Sequence, residues 1–172
     1  MLLIVLASCL SAQGDQTTAT ADCPPGDNTD QSCLGLPLEA SPQPEGSSDR
    51  NINGDALALC SSDPLTGYYR DGSCRTGPTD RGVHVVCAEV TDTFLRYSAA
   101  QGNNLMTPSP AHRFPGLTDG DRWCLCALRW EEARKAGAAP PVVAEATHAR
   151  ALDIVAAEDL QAATIPAGRA AR

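Results

Sequence analysis

Hydrophobic positions mark three candidate strands in the second half of the chain. Residues 83–90, VHVVCAEV, form a nearly continuous β-branched run that is typical of a buried strand. Residues 122–127, RWCLCA, alternate in polarity and predict a second strand. Residues 140–147, PPVVAEAT, predict a third strand after two prolines.

Helical patterns follow these runs. Thr91 and Asp92 are capping residues before TFLRYSAAQG, which predicts a short helix ending at Gly102, and LRWEEARKAG predicts a second helix ending at Gly137. Thr147 is placed to cap a short helix, HARAL, and AAEDLQAA predicts a last helical piece. Strands and helices mixed in a short chain predict an α+β fold, with helices packed on a small sheet and long ordered polar loops.

Residues 63–82, DPLTGYYRDGSCRTGPTDRG, form a polar loop that is unusually long for a compact domain. Its guanidinium groups lie among glycines, a combination suited to binding a carboxylate or phosphate together with the turn at residues 120–124. The alternative is internal Arg–Asp pairing that holds the loop on the sheet. The residues predicted to bind a ligand are Arg70, Arg75, Asp80, Arg81, Arg122 and Trp123.

Charge is unevenly distributed along the 172 residues. The net charge is −8, but residues 1–50 contain seven acids and one Arg, whereas the remainder contains fourteen acids and twelve bases. The acidity therefore belongs to the N-terminal segment, and no basic stripe for nucleic acid is visible, so no nucleic-acid partner is expected. We expect a disordered acidic linker over residues 13–50, one domain over 51–163 and a flexible tail over 164–172.

The apolar start, MLLIVLASCL, is too short to span a bilayer and is typical of a secretory signal. Leu6-Ala7-Ser8-Cys9 resembles a lipobox in which Cys9 is lipidated, and cleavage after Ala12 is the alternative. Residues 1–12 thus predict an exported or membrane-anchored protein, with membrane contact only through a lipid anchor. A mis-assigned start would instead leave the protein in the cytoplasm.

Cysteines give the other candidate chemistry. Cys74 lies between Arg70 and Arg75, whose charge would favour a reactive thiolate. Cys124 and Cys126 point to one face of a regular strand about 6.6 Å apart, while two thiolates on one zinc stand about 3.8 Å apart. Rotamers could close that gap, so a metal site is predicted from Cys87, Cys124, Cys126 and His84.

Two plainer interpretations of the cysteines stay open. Buried cysteines pack as small apolar residues, and in an exported protein they form disulfides, Cys60 and Cys74 being the loop-borne pair nearest in sequence. His148 follows Thr147 in a predicted first helical turn, where the helix dipole disfavours a positive imidazole. A neutral His148 would suit a catalytic base.

Several long strings, among them DPLTGYYRDGSCRTGPTDRGVHVVCAEVTDTFL, FPGLTDGDRWCLCALRW and AAPPVVAEATHARAL, closely resemble the bacterial domain-of-unknown-function family 2237. The resemblance covers about residues 51–163 and implies a small α+β fold with no assigned activity. Most members look cytosolic, so the exported-looking, Cys-bearing N-terminal extension is a departure. Another is NINGDALALC, where the family usually has a Pro before the Leu.

The sequence assigns no reaction and no cofactor. It leaves three hypotheses: a domain that binds a small anionic ligand through the polar loop, a Cys-based redox or metal enzyme, and a purely structural interaction module.

Overall fold

Two antiparallel strands form the centre of the fold. The structure, a computed structural model, describes residues 49–112 and 114–165. Strand β1 is His84–Glu89 and strand β2 is Arg122–Cys126, and they pair antiparallel. Both strands coincide with the β-branched and alternating runs of the sequence. The predicted signal segment, the linker up to residue 48 and the tail from residue 166 lie outside the described residues.

The register of the sheet sets cysteines opposite each other. Cys87 faces Cys124, and Glu89 faces Arg122 at the end of the pair. The register is irregular between His84 and Val86, where the chain enters β1 from the polar loop. This entry point is where the candidate site lies.

Three α-helices accompany the sheet, and the predicted caps fit their ends. Helix α1 is Asp92–Ala100, and its N-cap Thr91 accepts a hydrogen bond from the Phe94 amide at 3.2 Å. Helix α2, Ala127–Lys135, follows β2 without a loop, and helix α3 is Ala157–Ala162. Gly102 and Gly137 stand just beyond α1 and α2 with φ of 81° and 71°, the left-handed conformation that closes a helix at glycine.

The predicted third strand is wrong. Val142 makes only isolated bridges, to Ala88 and to Thr164, and Ala144–Ala146 is a 3-10 helix. Pro140 and Pro141 lack amide donors for a ladder, and the chain then turns, since the Ala146 amide donates to the Val143 carbonyl at 3.2 Å. The segment lies against β1 as a turn.

Thr147 does not cap the next helix. The following helical segment is a 3-10 helix, Ala149–Asp153, and its N-cap is His148, whose Nδ1 accepts from the Arg150 amide. The described residues then continue to Ile165, whose amide donates to the Val142 carbonyl at 2.9 Å.

The core has two parts. The larger one joins the helices to the sheet through fully buried side chains such as Val85, Phe94, Trp130 and Leu160. The smaller one consists mainly of cysteines packed with Val143, Ala146 and Ile165. Among the described residues, no helix is long and apolar enough to cross a membrane.

Candidate functional site

A buried carboxylate closes the polar loop. The Asp80 side chain is fully excluded from solvent. Its Oδ2 accepts from the Thr76 hydroxyl at 2.9 Å and from the His84 amide at 2.8 Å. Burial by itself would raise the pKa of Asp80, but the hydrogen bonds and charge of His84 and the bond from Thr76 outweigh it and lower that pKa. Asp80 is therefore an ionised anchor inside the protein.

The second oxygen of Asp80 orients an imidazole. Asp80 Oδ1 lies 2.7 Å from His84 Nδ1, and the His84 side chain is 27% exposed. The hydrogen bond places a proton on Nδ1 and directs Nε2 away from the carboxylate. No described residue bonds to Nε2. The Tyr68 ring lies nearly parallel to the imidazole at a centroid distance of 6.3 Å.

The backbone next to His84 is strained. Val83 has φ of 48°, a left-handed conformation that a β-branched residue rarely adopts. The Val83 carbonyl accepts from the Val85 and Ala127 amides at 3.0 and 3.1 Å, which holds the strained conformation in place. Backbone strain of this kind is concentrated at functional sites, which supports His84 as a candidate functional residue.

Two of the predicted ligand-binding arginines contact the protein itself. Arg70 lies over the Trp123 ring at 4.9 Å from its centroid, and it donates to the Leu65 carbonyl. Arg75 Nε lies 2.9 Å from Asp71 Oδ2 and has no partner of hydrogen-bonding geometry, so the contact is an ion pair only. These contacts place Arg70 between the polar loop and β2 and hold Arg75 within the loop.

The remaining predicted ligand-binding residues separate into buried and exposed groups. Arg122 lies 3.8 Å from Glu89 across the two strands. Trp123 is 8% exposed and packs edge-on against Phe114. Arg81 is exposed and makes no ion pair with a described residue. It stands one residue after Asp80 and three before His84, so it is the predicted ligand-binding arginine nearest to His84 in the chain.

Cysteine pairing differs from the expectation. The disulfides are Cys60–Cys87 and Cys74–Cys124, not Cys60–Cys74. The pairing predicted from proximity in sequence is wrong because the sheet brings Cys87 and Cys124 together, and each of them bonds to a cysteine from a preceding loop. Cys126 is disulfide-bonded as well.

The predicted reactive Cys74 is fully buried in its disulfide. A nucleophile needs an accessible thiolate, and Cys74 has none in this state.

The sulfur atoms that converge are not the predicted metal set. Among the described residues, the Sγ atoms of Cys60, Cys74 and Cys87 all lie within 4.8 Å of one another, and Cys124 is bonded to Cys74. His84 is engaged by Asp80 instead, and Cys126 is not part of this group. Sequence reasoning missed Cys60 because its loop approaches β1 only in the folded chain.

His148 has a structural position. Its Nδ1 accepts from the Arg150 amide at 3.0 Å, which places the ring proton on Nε2, 3.3 Å from Asp49 Oδ1. The side chain is 9% exposed. With both ring nitrogens engaged, His148 has no free lone pair to act as the predicted base.

A shallow depression between α1 and α2 encloses about 150 Å³, open solvent included, and is lined in part by Tyr97, Gln101 and Arg129. Ligand pockets usually measure about 300–1,000 Å³. The depression is therefore too small for a typical ligand, and the exposed edge of the polar loop is the better candidate.

Comparison with known proteins supports one assignment. The family model for uncharacterized proteins conserved in bacteria, DUF2237, matches residues 50–164. The chain belongs to this family. The match spans both strands, all three α-helices and the polar loop, so the Asp80–His84 pair lies within the DUF2237 domain. No curated protein matches the chain.

Proposed function

We propose that this DUF2237 domain binds a small anionic ligand at the exposed edge of the polar loop, through His84 and Arg81. The observation that carries the proposal is the 2.7 Å contact between the buried Asp80 carboxylate and His84 Nδ1. A fixed imidazole with its second nitrogen free is a preorganised hydrogen-bonding group.

The contacts of the arginines indicate which part of the polar loop is available to bind the anion. Arg70 and Arg75 are held against Trp123 and Asp71, which supports a structural role for them. Arg81 is exposed on the turn that leads into His84. A guanidinium on this turn and an imidazole at the start of β1 suit a phosphate or carboxylate, because the guanidinium donates N–H groups to oxygen and the imidazole does so when Nε2 carries a proton.

The ionised Asp80 also fits an anion site. Its negative charge holds the Nδ1 proton towards Asp80 and offsets the positive charge that an imidazole carries when Nε2 also donates a hydrogen bond to an anion. The same arrangement would let His84 pass a proton to a bound hydroxyl or take one from it.

Nuclear magnetic resonance of the His84 imidazole tests the proposal. Addition of inorganic phosphate, or of citrate as a carboxylate probe, is expected to shift the Nε2 resonance and raise the melting temperature. Arg81→Gln should abolish both effects, and His84→Gln should abolish the rise in melting temperature. Arg150→Gln is the matched control, because Arg150 is also exposed but pairs with Asp153.

Two results would count against this function. A His84 resonance unmoved by any anion would favour the structural interaction module, in which Asp80 and His84 only hold the loop. Equal losses in Arg81→Gln and Arg150→Gln would indicate nonspecific attraction.

We also propose that the protein is exported, as the N-terminal segment predicts. The buried disulfides Cys60–Cys87 and Cys74–Cys124 support it, since such bonds persist in oxidising compartments. Alkylation in intact cells followed by peptide mapping tests the idea. All four cysteines should resist alkylation until a reductant is added, and free thiols in freshly trapped protein would overturn it.

A further inference from the structure

We infer that the four cysteines of the buried sulfur cluster, Cys60, Cys74, Cys87 and Cys124, form a zinc site when their two disulfides are reduced. This inference is independent of the anion site. It concerns a second state of the domain, in which one tetrahedral metal replaces two covalent bonds.

The positions of the sulfur atoms carry the argument. The Sγ atoms of Cys60, Cys74 and Cys87 lie within 4.8 Å of one another, and thiolates on one zinc stand about 3.8 Å apart. Cys124 is the bonded partner of Cys74, so its sulfur adjoins this group of three. Four thiolates match the closed, tetrahedral geometry of structural zinc sites.

The backbone holds the four ligands from two directions. Cys87 and Cys124 face each other on β1 and β2, which fixes one pair through the sheet. Cys60 and Cys74 come from the preceding loops, and the amides of Cys60 and Ser61 both donate to the Gly72 carbonyl, at 2.8 and 3.1 Å. The loops therefore stay joined near the cluster when the S–S bonds break.

The surroundings also suit a metal. The four cysteines are between 0% and 4% exposed, and Val143, Ala146 and Ile165 pack around the cluster. Burial among apolar groups excludes water as a fifth ligand.

The chemistry balances with a dithiol as reductant. Two dithiol molecules deliver four electrons and four protons, the two S–S bonds of the cluster break, four thiols form, and the two dithiols become disulfides. Zn²⁺ then binds the four sulfurs as thiolates, and their protons pass to solvent.

Zinc binding by the full-length protein tests the inference. The reduced, desalted protein is mixed with zinc sulfate under anaerobic conditions, and bound zinc is measured after gel filtration. Alkylation and peptide mapping then show which thiols the metal protects. We expect about one zinc per chain, with the four cysteines protected and Cys126 alkylated; the oxidised protein should bind none at this site.

Variants distinguish this site from other thiols. Cys60→Ala and Cys74→Ala should each weaken zinc binding by more than about 100-fold, since a first ligand matters more than the outer partners whose loss costs about 10–100-fold. Cys126→Ala is the matched control and should bind as the wild type does. Equal weakening in Cys126→Ala would overturn the inference.

The proposal can also be tested if the protein unfolds when its disulfides are reduced. If circular dichroism shows that the reduced protein unfolds, added zinc should restore the folded spectrum, because metal affinity then appears as folding free energy. Reduced protein that binds no zinc at these cysteines, folded or unfolded, would also overturn it.

Discussion

Cys87 and Cys124 lie opposite each other across β1 and β2, and the amide of each donates to a buried threonine hydroxyl. Thr147 Oγ1 accepts from Cys87 at 3.1 Å, and Thr66 Oγ1 accepts from Cys124 at 2.9 Å. Both threonines are fully buried. Each one supplies the acceptor that a further strand would otherwise provide, which is how a sheet of two strands keeps its buried amides satisfied.

We therefore expect Thr66→Val to lower the free energy of unfolding by about 1–3 kcal/mol. Valine keeps the shape of the side chain but leaves the Cys124 amide without an acceptor. Urea unfolding monitored by tryptophan fluorescence measures the change. Thr107→Val is the control, because Thr107 accepts only from the exposed Asn104; its cost should be below about 0.5 kcal/mol. Similar losses at the two positions would contradict the role given to Thr66.

Asp80→Asn is expected to remove a pH-dependent stabilisation. The pKa of Asp80 in the folded protein is lowered below the model-compound value of 3.8, so ionisation stabilises the fold. This contribution is fully present above pH 3.8 and is lost as the pH falls through the lower folded pKa. The wild type should thus exceed Asp80→Asn in unfolding free energy at neutral pH, and the difference should shrink in acid. A difference that stays constant down to pH 2 would contradict an ionised Asp80.

The two described disulfides should stabilise the domain to different extents. They span 27 and 50 residues, and the chain-entropy relation gives each about 3–5 kcal/mol. Cys74→Ala with Cys124→Ala should cost about 0.5 kcal/mol more than Cys60→Ala with Cys87→Ala, because the longer loop gains more freedom when it opens. Guanidinium unfolding of both double variants measures the costs. A clearly larger cost for the shorter loop would show that packing, not loop length, dominates.

Local chemistry made some elements predictable from sequence. Thr91 before α1 and Gly137 after α2 mark helix ends through hydrogen bonding and backbone freedom that involve only neighbouring residues. The strand predicted around Val142 is wrong because β-branched residues beside proline fit a buried turn as well as a strand. Pairing with β1 is limited to the bridge at Val142, and the chain then turns because the Ala146 amide donates to the Val143 carbonyl.

The candidate site was predictable only in part. Asp80 was predicted to bind a ligand and His84 to bind a metal. The four-residue spacing in DRGVH is the signal that could have paired them. The disulfide partners depend on contacts between residues that are distant in sequence. Spacing alone could not show that Cys60 lies beside β1.

Gly82→Ala tests the position of the His84 ring without touching either member of the pair. A Cβ at Gly82 would lie about 2.9 Å from both ring nitrogens of His84 and closer still to Cε1. The imidazole is held by Asp80 and cannot yield without losing the 2.7 Å contact. We expect a loss of about 1–3 kcal/mol in unfolding free energy, together with faster solvent exchange of the Nδ1 proton in nuclear magnetic resonance spectra.

Gly77→Ala is the matched control for this last prediction. Its Cβ would meet only the hydroxyl end of Tyr69, a side chain on the same loop that is 40% exposed and whose ring contacts Tyr68 and Arg75. Its effect on the Nδ1 proton of His84 should be negligible. If Gly82→Ala left that proton as slow to exchange as in the wild type, the imidazole would not be fixed between Asp80 and Gly82, and the preorganisation on which the anion site rests would be absent.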